Sequence, residues 1–279
     1  MAGAYTELSI EPYDPLRLQG PNAGYPCKPK QDYHGNFWMV VEQEIERVSH
    51  TYLLRAKRNP TDGSITWEVA EIPTIDDLPV YPLQITVDKN DNVYLGIGGL
   101  GYGVLKASII SEGPLTMSWS YGIYQLEPET FTYGITLNPE HTEGGILCYD
   151  GSADYFMVEF STATLWITNV AHLEHEAGYE VIPYLETDTT LSINFRTTYY
   201  VEYSTSGNFN DIIIRSYYLD DPLAAQQHYH YENPDGYDIQ WVADFNINSA
   251  GALALLWEGE IPPEEFEILW YTMNEINPA

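Results

Sequence analysis

Five short apolar runs, each placed just after a polar turn, recur along this chain at almost constant spacing, and that regularity narrows what it can fold into. They read Gly35-Asn36-Phe37-Trp38-Met39-Val40-Val41, Asp91-Asn92-Val93-Tyr94-Leu95, Gly145-Ile146-Leu147-Cys148-Tyr149, Thr198-Tyr199-Tyr200-Val201 and Gly251-Ala252-Leu253-Ala254-Leu255. Their first apolar positions are Phe37, Val93, Ile146, Tyr199 and Ala252, at intervals of 56, 53, 53 and 53 residues. A fixed period of this order, with several short strands in each unit, marks an array of repeated β units.

The second repeat parses most clearly into four strands. Leu83-Gln84-Ile85-Thr86-Val87 leads through the turn Asp88-Lys89-Asn90-Asp91-Asn92 to Val93-Tyr94-Leu95-Gly96-Ile97, then to Tyr102–Ala107 and Leu115–Tyr121. Short β-branched and aromatic runs bounded by Gly, Asn, Asp and Pro read as antiparallel strands. The same plan makes Gly134–Leu137, Ser192–Phe195 and Ala243–Asn246 the first strands of later repeats. Outer strands carry Trp67, Trp119 and Trp166, spaced 52 and 47 residues apart, which are expected to pack between neighbouring units. In the first repeat the corresponding stretch, Tyr25 to Asp32, holds two prolines and makes a poor ladder. The last repeat ends on Phe266–Tyr271 without a fourth strand, a place that Tyr5–Ile10 can fill.

In period and strand content the chain resembles the five-bladed β-propellers. The resemblance implies an all-β fold: one domain over residues 1–279, its N-terminal strand closing the last blade and a proline-rich lead-in occupying the rest of residues 1–34. Such closure would pair the exposed sheet edges.

Charge narrows the partners. Asp and Glu number 41 against 11 Lys and Arg, a formal net charge of −30, so nucleic acid and anionic membranes are repelled. Two explanations compete for this acidity: a surface adapted to high salt, which the few lysines favour slightly, and a particle surface or cation-binding face. No apolar run is long enough to cross a membrane as a helix. Met1–Glu7 lacks the features of a secretory leader, so synthesis in the cytoplasm is expected. Cys27 and Cys148, 121 positions apart, form neither a zinc knuckle nor a redox pair and read as buried thiols.

Each local motif has a plain structural explanation beside its chemical one. Gly96-Ile97-Gly98-Gly99-Leu100-Gly101 matches a dinucleotide fingerprint, but that chemistry needs a helix next, and Tyr102 to Ile110 reads as a strand. Asp88 to Asn92 resembles the front of a calcium loop, yet Val93 and Gly99 stand where glycine and glutamate are required. His228, His230 and Glu232 fall on one face of a strand, and His172 and His175 form a second pair. Neither group has a further ligand at metal-binding spacing. No catalytic, cofactor-binding or metal-binding residue is therefore assigned, and no cofactor is expected.

Many five-bladed propellers are glycoside hydrolases that gather carboxylates at the central pocket, two of them roughly 5–10 Å apart. The family pattern opens the first inner strand with an aspartate. Here Asp32 falls in the turn, Ile135 and Ile193 stand where acids are wanted, and Asp244 alone is well placed. A closed propeller without a catalytic signature is expected to be an interaction platform. The expected role is a non-enzymatic virion protein (tail, fibre base or head decoration), made in the host cytoplasm. Its expected partners are a host glycan or receptor and other virion proteins, the latter docked through the segment Pro15 to Pro29 with Arg17, Lys28 and nearby Lys30, for which an ordinary surface loop is the alternative. A lectin-like glycan binder and a propeller glycosidase are the alternatives.

Overall fold

A recurring hairpin turn sets the architecture. Asp32, Asp88 and Asn138 each end a short strand and fold their side-chain oxygen back onto the backbone. Asp32 Oδ1 accepts from the amides of His34 (2.9 Å) and Asn36 (2.8 Å), and Asp88 Oδ1 from those of Asn90 (2.8 Å) and Asn92 (3.0 Å). Asn138 Oδ1 accepts from the amides of Thr142 (2.9 Å) and Glu143 (3.2 Å). Each turn places one residue in the left-handed region: Gly35 (φ 83°), Asp91 (φ 60°) and His141 (φ 59°). Such turns are served by Gly, Asn and Asp for backbone reasons.

The computed structural model describes residues 27–45, 48–75, 80, 82, 84–97, 102–112, 114–125, 131–149, 155–173, 179–181, 185–187, 197–204, 211–218, 228–232, 239–247, 252–259 and 265–272. The first sheet is β1 (Lys30–Gln31), β2 (Phe37–Ile45), β3 (Val48–Arg58) and β4 (Ile65–Glu71). The second is β5 (Ile85–Val87), β6 (Val93–Ile97), β7 (Tyr102–Ser111) and β8 (Thr116–Gln125). The third is β9 (Phe131–Leu137), β10 (Glu143–Tyr149), β11 (Tyr155–Ser161) and β12 (Ile167–His172). In the fourth, β13 (Tyr179–Val181) and β14 (Glu186–Thr187) share the inner side of β15 (Thr197–Ser204), followed by β16 (Asp211–Tyr218) and β17 (His228–Glu232). The last sheet is β18 (Ile239–Ile247), β19 (Ala252–Gly259) and β20 (Glu265–Thr272). Every ladder within these sheets is antiparallel and joins strands in chain order, so the protein is an all-β array of meanders.

The core lies between successive sheets. Val93 and Leu95 pack toward the first sheet with Trp38, Val40 and Leu53, while Tyr94 between them packs toward the third with Ile146, Val158 and Phe160. In β10, Ile146 and Cys148 likewise face one cluster and Leu147 the other, with Val181 and Leu185 of the fourth sheet. Strands buried on both faces read as unbroken apolar runs, and those runs are the ones whose period is visible in the sequence.

Phe37, Val93, Ile146, Tyr199 and Ala252 lie on β2, β6, β10, β15 and β19, the second-rank strand of each sheet. Register corrects one of these equivalences. Val93 pairs with Val87 just before Asp88, and its counterpart just before Asn138 is Leu137 paired with Gly144, not Ile146. A second correction concerns the inner strand of the fourth sheet. Tyr179–Val181 and Glu186–Thr187 occupy the place expected for Ser192–Phe195, which lies outside the described residues, as does the closing segment Tyr5–Ile10.

Candidate binding site

The inner strands of four sheets converge on a cavity of about 160 Å³. Equivalent register positions line it: Lys30 opposite Trp38, Thr86 opposite Tyr94 and Thr136 opposite Gly145, joined by Thr187 opposite Thr198. Val87 and Leu137 supply apolar wall, and Asp32, Tyr33 and His141 come from the turns. Strand geometry explains the arrangement, because alternate side chains on an inner strand leave the sheet face on one side.

Buried polar links hold these strands together. Glu186, 3% exposed, lies 2.8 Å from Lys28 Nζ through Oε1 and 2.9 Å from Lys30 Nζ through Oε2. Burial pushes the Glu186 carboxyl up, but Lys30 and Lys28 together outweigh it and hold the group below its ordinary range. Gln84 Nε2 donates to Leu185 O (2.7 Å), while Gln84 Oε1 accepts from the amides of Ile135 (3.0 Å) and Leu185 (2.9 Å). Thr136 and Thr187 share a hydroxyl hydrogen bond of 2.8 Å, and Thr187 and Thr198 one of 3.0 Å. A side chain on Gly134 would press on Leu185 N and Gln84 Oε1, so glycine lets the third and fourth sheets meet there.

At the rim three turns touch. His141 Nδ1 accepts from the Lys89 amide (2.8 Å), which leaves Nε2–H to donate to Tyr33 Oη (2.9 Å). Burial pulls the His141 pKa below its ordinary 6.5, against the opposing fields of Asp88 and Glu140. His34 lies 3.4 Å from Asp91. Burial, reinforced by the nearby Asp32 charge, raises the Asp91 carboxyl. Asp32 itself is buried and saturated. Its Oδ2 accepts from Asn36 Nδ2 (2.9 Å) and Trp38 Nε1 (3.0 Å), with Arg55 Nη2 at 4.0 Å.

The motifs singled out in the sequence fall as follows. Asp88 spends both carboxylate oxygens on its own turn and on Tyr94, so its resemblance to a calcium loop is a hairpin's. Gly96 and Ile97 end β6, and the next described element, from Tyr102, is strand β7 rather than the helix a dinucleotide site needs. His228, His230 and Glu232 alternate along β17; His172 is exposed at the end of β12, and His175 lies outside the described residues. No group of three potential metal ligands occurs among the described residues. Cys27 and Cys148 are buried thiols, their pKa values driven far upward by desolvation.

Two expectations are corrected. Lys28 is buried against Glu186 and Lys30 turns toward the cavity, so neither serves an external docking surface; Pro15 to Pro26 and Arg17 lie outside the described residues. Trp119 packs against the core between the first two sheets, but Trp166 is 77% exposed and packs between none.

The cavity was missed because its wall is a register pattern rather than a motif. Ile85-Thr86-Val87-Asp88 and Ile135-Thr136-Leu137-Asn138 carry that pattern openly.

No protein-family model matches the chain, and no curated protein matches it in sequence. Solved structures do match in shape. A mutant of the NanB sialidase from Streptococcus pneumoniae aligns with TM-score 0.56 at 9% identity, over 83% of this chain and 37% of that one. The periplasmic gluconolactonase PpgL from Pseudomonas aeruginosa aligns with TM-score 0.53 at 10% identity, over 91% and 74%. The catalytic domain of a GH62 α-L-arabinofuranosidase from Coprinopsis cinerea aligns with TM-score 0.50 at 8% identity, over 92% and 94%. The chain thus spans little more than a third of the sialidase it resembles. These neighbours are β-propeller-type folds, and at such identities the likeness is one of fold.

Proposed function

We propose that this chain is a five-bladed propeller that binds a glycan through its central cavity without turning it over, as a surface component of a virion. One observation carries the binding reading. Among the described residues the cavity is lined by one carboxylate, Asp32, which accepts four hydrogen bonds, and braced by Glu186, which is clamped between two lysines. Both carboxylates are committed to partners within the protein. The Thr86 hydroxyl, the remaining lone pairs of the linked Thr136 and Thr187 hydroxyls and the Lys30 ammonium offer donors and acceptors suited to a polyhydroxylated ligand.

The five sheets are the blades in this reading, and Tyr5–Ile10 adds to β20 to close the ring. The virion setting rests on the acidity, with net charge −30, which asks for a partner surface to assemble upon. Finding the chain in purified particles, or its gene among capsid and tail genes, tests that setting.

The rival reading is a sugar-active hydrolase. The sialidase and arabinofuranosidase among its structural neighbours favour it, as do Asp244 on the inner strand β18 and the raised Asp91 carboxyl. Asp91 does not line the cavity. Assay against aryl-glycosides and sugar lactones decides between them: no turnover is expected, and turnover lost in Asp244→Asn or Asp91→Asn overturns the binding reading.

A further inference from the structure

The wall of the cavity has a polarity unlike the rest of this acidic chain, and it narrows the ligand class. Lys30 brings an ammonium into the cavity wall, and its side chain is 34% exposed there, whereas Glu186 beside it is 4% exposed. An ammonium has three N–H donors, and one of Lys30's is directed at Glu186 Oε2. Asp32, the other charged lining group, has its oxygens filled by His34, Asn36 and Trp38, so it offers an incoming cation no free lone-pair direction of the usual kind. The remaining wall combines threonine hydroxyls and apolar patches at Val87 and Leu137 with Gln31 and His141, under the exposed ring of Tyr33. A volume of about 160 Å³ is close to the roughly 150 Å³ that houses an unsubstituted benzene ring, so one sugar ring enters with part of its substituents at the open mouth.

We infer that the cavity selects a single sugar ring bearing a carboxylate, the acidic terminal residue of a glycan, with the carboxylate on Lys30 and the ring hydroxyls on Thr86, Thr136 and Thr187. This rests on the binding reading above and adds a charge preference to it. A charge-assisted hydrogen bond from Lys30 is about twice as strong as a neutral one, so the acidic ring outcompetes its neutral counterpart.

Calorimetric titration of the full chain with glucuronate, glucose and acetate tests this at two salt concentrations. Glucuronate should bind at least about tenfold tighter than either glucose or acetate, and rising salt should weaken glucuronate while leaving glucose unchanged. Lys30→Met should reduce glucuronate to the level of glucose, and Lys30→Arg should restore part of the difference; melting curves show whether each variant is folded. Thr136→Val should weaken both sugars. Equal affinity for glucose and glucuronate without salt dependence overturns the charge preference and leaves glycan binding standing. Acetate binding as tightly as glucuronate overturns the sugar ring. Binding of neither sugar overturns both this inference and the glycan reading.

Discussion

The first and third sheets use the same turn to opposite ends. In the first, Asp32 caps the turn and also accepts from the indole of Trp38, over which Arg55 stacks at 5.2 Å. The second sheet repeats this with Asp88, Tyr94 and Lys106, the ammonium again 5.2 Å from the ring centroid. In the third sheet the cap is the neutral Asn138, and register puts Gly145 opposite Glu159 where the others pair an aromatic with a cation. Space left by Gly144, on the opposite face of the strand from Gly145, takes Phe160, whose ring packs 6.2 Å from Tyr94 of the sheet before. What recurs is a backbone conformation; the side-chain chemistry above the turn changes from sheet to sheet.

Phe160 offers the strongest way to break that comparison. Phe160→Ala should cost about 4 kcal/mol in chemical denaturation, since a fully buried ring is lost from between two sheets. Gly144→Ala should cost about 2 kcal/mol by itself, because its Cβ would strike that ring. If the glycine exists to admit the ring, the double variant falls well short of the sum. Strict additivity would separate the two residues.

The caps come next. Asp32→Ala leaves two backbone amides, the Asn36 amide group and the buried indole N–H of Trp38 unpartnered and should cost about 3 kcal/mol; Asn138→Ala, with fewer and shallower partners, about 1 kcal/mol. Equal losses would mean that the aromatic link adds nothing to the first turn.

His141 gives the smallest effect and the sharpest sign. Its folded pKa lies below the ordinary 6.5. The unfolded chain therefore takes up the proton first, so the stability from this group is complete above about pH 6.5 and falls as pH drops toward the folded value. Protonation would also set an N–H against the Lys89 amide. His141→Asn, which tolerates the left-handed φ, should flatten that part of the melting-temperature profile. An unchanged slope would assign it to another group.

The period was legible because strands buried on both faces show as apolar runs, and because Asp and Asn mark the turns. It slipped at Ile146, where the turn from Asn138 to Glu143 is one residue longer than that from Asp88 to Asn92 and the strand opens on two glycines without hydropathy. It slipped again at the fourth inner strand, because the alternation in Ser192–Phe195 looks more like a strand than polar Glu186-Thr187 does. Those two residues are strand through their short ladder to Tyr199 and Thr198, and the Glu186 side chain meets Lys30, 156 positions away in the chain, a contact that no local pattern announces. The cavity shares this origin. Thr86 and Thr136 were visible at equal places in their repeats, but their convergence with Lys30 and Thr187 belongs to the packing of sheets.

Gln84 carries a consequence for how the chain is made. Its side-chain amide serves Leu185, 101 residues later, through both its oxygen and its nitrogen. At ribosomal speeds of about 5–20 residues per second, that partner arrives roughly 5–20 s after Gln84 itself. Until then the nascent second and third sheets hold an amide with two of its three hydrogen bonds missing, next to lysines still waiting for Glu186. Order is then imposed backwards along the chain: a late segment completes early ones, and a ribosome stalled before residue 185 would leave its product a ready substrate for proteases.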